Sequence, residues 1–173
     1  KIVPDFKENK FYTEFFWWVT FRNDSVKTGI SNTDLINLQY VNSSNEEIGS
    51  FLTEIEEGPL LLENGEYYCE GFHQGDFYFN PDYTYYPFDE QRMDILLEHA
   101  LQTTDKIKLI IDTANYTFSK QKSTLWGISN DIIQNKTASY KIFKSEIRTE
   151  DGLYNTNFGD PEFLPSSNYS RLN

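Results

Sequence analysis

Residues 11–22 read Phe-Tyr-Thr-Glu-Phe-Phe-Trp-Trp-Val-Thr-Phe-Arg, seven rings in twelve positions with Thr13, Val19 and Thr20 among them. Aromatic and β-branched side chains lose freedom in a helix and pack well on a pleated surface, so this stretch is predicted to be a strand. Alternation places Phe15, Trp17, Val19 and Phe21 on one face and Phe16, Trp18, Thr20 and Arg22 on the other. A strand largely apolar on both faces belongs inside a sandwich of packed sheets.

The remaining sequence agrees in composition. The 173 residues include 14 Phe, 12 Tyr and 3 Trp but only three Ala, so strong helix formers are scarce and a full core is within reach of one domain spanning residues 1–173. Further strands are expected at 35–42, 51–56, 66–72, 76–79, 92–99, 106–112, 139–147 and 166–172. Turn residues punctuate them at Glu57-Gly58-Pro59, Asn64-Gly65, Asn80-Pro81-Asp82 and Gly159-Asp160-Pro161. Ile48, Phe51, Leu52 and Ile55 also satisfy helical spacing, so a short amphipathic helix competes with the strand at 51–56. Residues 148–165, with two Gly and two Pro, read as a long loop joining the last two strands. The expected fold is an all-β, immunoglobulin-like β-sandwich of about nine or ten strands.

Charge narrows the partners. With 27 acidic against 15 basic residues the net charge is -12, a field that repels phosphate backbones and anionic headgroups and excludes nucleic acid as a leading partner. Amines, guanidinium compounds and Ca2+ would be concentrated instead. Glu54, Glu56, Glu57, Glu63 and Glu66 read either as a Ca2+-attracting rim or, more simply, as a solvated acidic edge. Cys69 is the sole cysteine, so no disulfide forms within the chain and it is expected to pack as a small hydrophobe. No apolar run approaches the roughly 18 residues of a membrane span, and Lys1 begins no signal-peptide pattern. The chain is expected to be soluble as it stands, which is compatible with an excised ectodomain. Asn-x-Ser/Thr triplets at Asn23, Asn42, Asn115, Asn135 and Asn168 are compatible with life outside the cytoplasm.

Covalent chemistry finds little support. His73 and His99 fall on separate strands, Cys69 stands four residues before His73, and no zinc spacing, nucleophile elbow, phosphate loop or dinucleotide fingerprint is present. The expectation is a non-enzyme without a cofactor, with His73 a half-exposed strand residue.

Residues 86–91, Tyr86-Pro87-Phe88-Asp89-Glu90-Gln91, precede the alternating Met93, Ile95 and Leu97. This stretch resembles the signature turn and following strand of pentameric ligand-gated ion channels. Weaker likenesses follow the same order. Residues 15–21 are similar to the aromatic second strand and 35–42 to the next one. The run Leu125-Trp126-Gly127-Ile128 resembles the segment with the Trp that comes after the turn, and 169–173 resemble the last strand before the first membrane helix. The cysteines that bracket the turn in animal receptors would fall at Phe79 and Met93, so the bridge is absent, as in prokaryotic members.

The resemblance implies a ligand-sensing ectodomain outside the cytoplasm, tethered to its own membrane domain in a homopentamer. A small ligand would bind under the 148–165 loop. Tyr154, Phe158 and Phe163 are then candidate wall residues, rings suited to a cationic amine; the alternative is that these rings pin the loop to its own sandwich, which Phe163, between two prolines, slightly favours. Trp126 borders that site or belongs to the core. Tyr86, Pro87, Phe88, Asp89 and Gln91 would form the coupling loop facing the membrane domain. The rival expectation is a monomeric β-sandwich binding module for a carbohydrate or protein, or the periplasmic sensor domain of a non-channel receptor.

Overall fold

The structure, a computed structural model, describes residues 2–44, 53–86, 89–111, 147–155 and 166–173. They form two antiparallel four-stranded sheets, an all-β sandwich. The first sheet holds β1 (Ile2–Asp5), β2 (Lys10–Phe21), β4 (Thr53–Leu61) and β5 (Tyr67–Tyr78) in the order β1-β2-β5-β4. The second holds β3 (Leu38–Tyr40), β6 (Leu97–His99), β7 (Thr149–Tyr154) and β8 (Ser167–Leu172) in the order β3-β6-β8-β7. Two one-turn helices, α1 (Ser25–Thr28) and α2 (Asn32–Leu35), lie between β2 and β3. No helix among the described residues is long and apolar enough to cross a membrane.

β2 is the strand predicted from the aromatic run. It pairs with β5 through twelve consecutive residues, from Lys10↔Tyr78 to Phe21↔Tyr67. Residues opposite one another share a face, so one side of the pair presents Phe11, Thr13 and Phe15 with Phe77, His73 and Cys69. Phe11, Thr13, Cys69, His73 and Phe77 are all buried. Tyr40 of β3 closes on this side from the second sheet, its ring centroid 4.4 Å from His73, 5.4 Å from Phe77 and 6.0 Å from Phe15. Phe11 stacks on Phe77 at 5.6 Å. His73, expected half-exposed, is therefore fully buried between the layers, because its strand position points at Tyr40.

Several expected boundaries are corrected. The strands expected at 66–72 and 76–79 are one strand: Gly75 stands opposite Thr13 in an unbroken register, so the long partner strand carries the chain past it. Glu57-Gly58-Pro59 does not end a strand. It is absorbed within β4, whose register shifts between Ile55 and Leu60. Gly58 sits there at φ +115°, and a Cβ would lie 2.5 Å from the Tyr68 carbonyl oxygen. Residues 53–57 follow strand geometry, not the competing helix. The strand expected at 35–42 shortens to β3, because Ser31 caps α2 by accepting a bond from the Asp34 amide (3.0 Å). Residues 106–111 form no ladder; there the Leu109 amide donates to the Ser170 hydroxyl at 2.9 Å. Residues 149–154, expected as loop, are β7. The stretch expected as a strand at 139–147 lies outside the described residues except for Ile147, as does the turn at 159–161.

The strand expected at 92–99 keeps its ladder only at β6, and the reason is Asn42. Its side-chain amide donates to Asp94 O (2.7 Å) and Tyr78 O (2.9 Å), while its oxygen accepts from the Leu96 amide (2.9 Å). One side chain thus takes the place of a main-chain partner where the chain leaves β3, and Ser43 bridges Phe77 in the other sheet. A strand that switches sheets makes the corner of the sandwich.

His99, also buried, fastens the second sheet to α2. Its Nδ1 accepts from the amides of Leu101 (3.1 Å) and Gln102 (2.9 Å), leaving the proton on Nε2, which donates to Asp34 O at 2.7 Å. Burial holds its pKa below the ordinary 6.5.

Truncating the interlayer ring, Phe77→Ala, should cost about 3–5 kcal/mol in urea unfolding. Less than about 1 kcal/mol would contradict the packing. His99 gives a pH signature. The unfolded chain takes up the proton first, so stability is complete above about pH 6.5 and falls as pH is lowered through it. Melting temperatures measured between about pH 7.5 and about pH 5.5 should fall more steeply for the native chain than for His99→Gln.

Candidate functional site

Of the expected ligand-wall residues, Tyr154 lies among the described residues; Trp126, Phe158 and Phe163 lie outside them. Tyr154 ends β7, which pairs with β8 from Thr149↔Leu172 to Tyr154↔Ser167. Glu98 of β6 and Glu150 of β7 both pair with Arg171 of β8, so a carboxylate, a guanidinium and a carboxylate form one row across three strands. Glu98 is 1% exposed. Arg171 donates to it through Nε at 2.6 Å and also contacts it through Nη2, while Nη1 stands 3.7 Å from Glu150. The Tyr154 hydroxyl donates to Glu98 Oε2 (2.9 Å) and accepts from Arg171 Nη2 (3.1 Å). Its ring meets Tyr169 edge-on at 5.5 Å.

Gly152 makes room for this cluster. A Cβ there would lie 2.5 Å from Glu98 Oε1 and 2.6 Å from Arg171 Nη2. Burial, then the negative charge of Glu98, pushes the Tyr154 phenol pKa above its usual value, so the hydroxyl keeps its proton as a donor at neutral pH. Chemically, the cluster fixes a tyrosine ring at the end of a strand and holds two charges in balance inside a sheet.

The coupling-loop residues divide similarly. Pro87 and Phe88 lie outside the described residues. Tyr86 is 75% exposed, as is Tyr85. Gln91 closes the loop: its oxygen accepts from the Asp82 amide at 2.8 Å, and its nitrogen donates to Asp82 O at 2.6 Å and to the Asp89 carboxylate. The Tyr83 hydroxyl reaches Phe6 O at 3.3 Å. The turn is therefore stapled at its base by Gln91, a side chain that the sequence placed within it.

The base of the turn adjoins the end of β8. With its amide oxygen facing Arg92 and Arg148 (both 3.0 Å) and its nitrogen facing Asp94 Oδ1 (3.2 Å), Asn173 joins the strand end to the residues just after Gln91. Arg171 is two residues earlier. The Tyr154 cluster and the turn, unconnected in sequence, thus meet through β8.

Glu98, Arg171, Glu150 and Gly152 were not singled out from sequence. Opposite charges on expected strands were the available signal for Glu98 and Arg171, but a sequence separation of 73 gave no register. Of the acidic edge, Glu66 pairs with Arg22 at 3.2 Å and accepts from Asn64, while only the backbone of Glu54, Glu56 and Glu57 is described. Among the described residues no three His, Cys, Asp or Glu side chains gather as a metal site. Cys69 is fully buried, as expected. The amide nitrogens of Asn23 and Asn42 already donate to carbonyl oxygens of the protein, Ile30 O for the former.

The chain matches no protein-family model and no curated protein sequence.

Removing the guanidinium by Arg171→Met should destabilise the protein by about 3–5 kcal/mol, since Glu98 is left buried without its counter-charge. The double variant Glu98→Gln with Arg171→Met should recover part of that loss. Gly152→Ala should cost about 1–3 kcal/mol through the enforced clash. Urea midpoints measure all three, and an Arg171→Met cost below about 1 kcal/mol would show the pair to be idle.

Proposed function

We propose that the chain is the ligand-sensing ectodomain of a membrane protein related to prokaryotic pentameric ligand-gated channels, acting outside the cytoplasm and without covalent chemistry. The observation that carries this reading is the junction at Asn173. Tyr86 of the turn resembling the family's signature is exposed, the turn is stapled by Gln91 to Asp82, and its following residues Arg92 and Asp94 meet the last residue of the described chain. In the family that the sequence resembles, a membrane helix continues from that strand.

Tyr154 supports the sensing half. Its ring lies within the 148–165 segment expected to cover the ligand, and its hydroxyl is bound to Arg171, two residues before the junction. A ligand that repositions Tyr154 would pull on Glu98 and Arg171 and so on the end of β8. Only a difference in affinity between two arrangements can bias such an equilibrium. The acidic field favours a cationic amine or Ca2+ as that ligand.

The test uses the membrane protein that carries this chain, reconstituted in vesicles. Methylammonium, tetramethylammonium and Ca2+ are added in turn while ion flux and melting temperature are followed. One of them should raise the melting temperature and open a flux. Tyr154→Phe should shift the flux response to at least about tenfold higher ligand concentration, the scale of one lost charge-assisted hydrogen bond. A parent protein without membrane spans after Asn173, or vesicles silent to all three ligands, would refute the reading.

A further inference from the structure

The face of the β2–β5 pair turned away from Tyr40 is not the polar surface that a solvated sheet face usually presents. Its rows, taken from the register, are Tyr12 with Asp76, Glu14 with Gln74, Phe16 with Phe72, Trp18 with Glu70 and Thr20 with Tyr68. Phe16 is 66% exposed and its ring lies 4.8 Å from that of Phe72. On either side of this ring pair a carboxylate is held in place by a tyrosine two residues away on its own strand. Tyr12 donates to Glu14 at 2.7 Å, and Tyr68 donates to Glu70. The cations of these strands stand at the two ends and are engaged: Lys10 lies over the Tyr78 ring at 4.9 Å, and Arg22, just past β2, pairs with Glu66 at 3.2 Å.

We propose that this face binds an extended, arginine-bearing segment of a partner protein. Guanidinium groups stack on aromatic faces and pair in plane with carboxylates, and the face supplies both, side by side. Spacing sets the pattern. Rows repeat every two residues, roughly 7 Å along the strand, as do same-side residues of an extended peptide. Glu14 and Glu70 are one row before and one row after the Phe16–Phe72 pair. A segment with Arg, an apolar residue and Arg at alternate positions therefore meets carboxylate, rings and carboxylate in turn. A second copy of this chain does not suit the face, since its carboxylates would be set against their own equivalents.

This inference is independent of the membrane reading, and its test uses the chain alone. A nonapeptide of sequence Arg-Ser-Leu-Ser-Arg-Ser-Leu-Ser-Arg is titrated calorimetrically into the protein beside its citrulline counterpart, which keeps the shape and loses the charge. The arginine peptide should bind one to one, with the citrulline peptide at least about tenfold weaker. Phe16→Ser and Glu70→Gln should each weaken binding by about tenfold or more, while Asp105→Asn, a carboxylate outside this face, should change it less than about twofold. Equal binding of the two peptides, an equal effect of Asp105→Asn, or no binding would overturn the proposal. Binding of a xylan oligosaccharide that Phe16→Ser abolishes, with the peptide inert, would make the face a glycan platform and overturn it also. The citrulline comparison needs no variant and stands even if Phe16→Ser misfolds.

Discussion

The twelve-residue pairing of β2 with β5 is the constraint from which the other features follow. In an antiparallel ladder a slip of one residue turns every side chain to the opposite face. Here a slip of β2 would expose Phe11 and bury Glu14, and a slip of β5 would expose Phe77 and Cys69 and bury Glu70 and Asp76, so the two rows of side chains define a single register. The inner row builds the core with Tyr40. The outer row is left with rings and carboxylates in alternation, and the binding face is therefore a consequence of the same register that makes the core.

A second constraint joins the layers. The chain leaves β3 and reaches the far end of β5 within four residues, too few for a long connection, so pairing with β6 and pairing with β5 must be exchanged almost at once. Asn42 makes the exchange possible by presenting amide hydrogens to the Tyr78 carbonyl of β5 and to the Asp94 carbonyl just ahead of β6, and an amide oxygen to Leu96. A carboxylate of the same size could not donate, and an aliphatic residue could do neither. The path from Asp94 to Leu96 that this residue fixes is the path that follows the 82–91 turn, so the corner of the sandwich also sets where the turn stands relative to β8.

The sequence made the strands legible where the pattern was strong and local. Residues 11–22 carry an aromatic alternation that no helix would favour, and Asn64-Gly65 closes the β4–β5 hairpin as expected, with the Leu62 amide bonded to Glu66 O at 2.7 Å. Errors arose where Gly or Pro was taken as punctuation and where one strand was divided at residues 73–75. Gly75 passes unnoticed inside β5 because a twelve-residue partner outweighs its weak strand preference, and Gly58 is required by close approach to Tyr68. Gly152 had the same effect on β7, whose sequence Thr-Glu-Asp-Gly-Leu-Tyr looks like loop until Arg171 and Glu98 are placed beneath it. The Ser31-x-x-Asp34 cap was readable and would have shortened the strand expected at 35–42. Of the candidate site, Tyr154 and Gln91 were visible as residue types in a motif order; the Glu98–Arg171 row depends on pairing three distant strands, which one sequence does not reveal.

That row also explains why charges are kept inside the second sheet. Burying a carboxylate and a guanidinium costs several kcal/mol of hydration each, and a well-packed apolar pair would often be as stable. What the ionic row adds is a penalty on alternatives. The β6–β8 contact is only two residue pairs long, too short for its own ladder to define a register. Sliding β6 by one residue would turn Glu98 away from Arg171, and sliding β7 would put a side chain where Gly152 leaves space for the guanidinium. Each error strands a buried charge, so the row selects one alignment of β6, β8 and β7 where the hydrogen-bond ladder alone would tolerate several. Because Tyr154 hangs from the same two charges, the alignment of the strands and the position of the candidate sensing ring are settled by one set of contacts, and neither can change without the other.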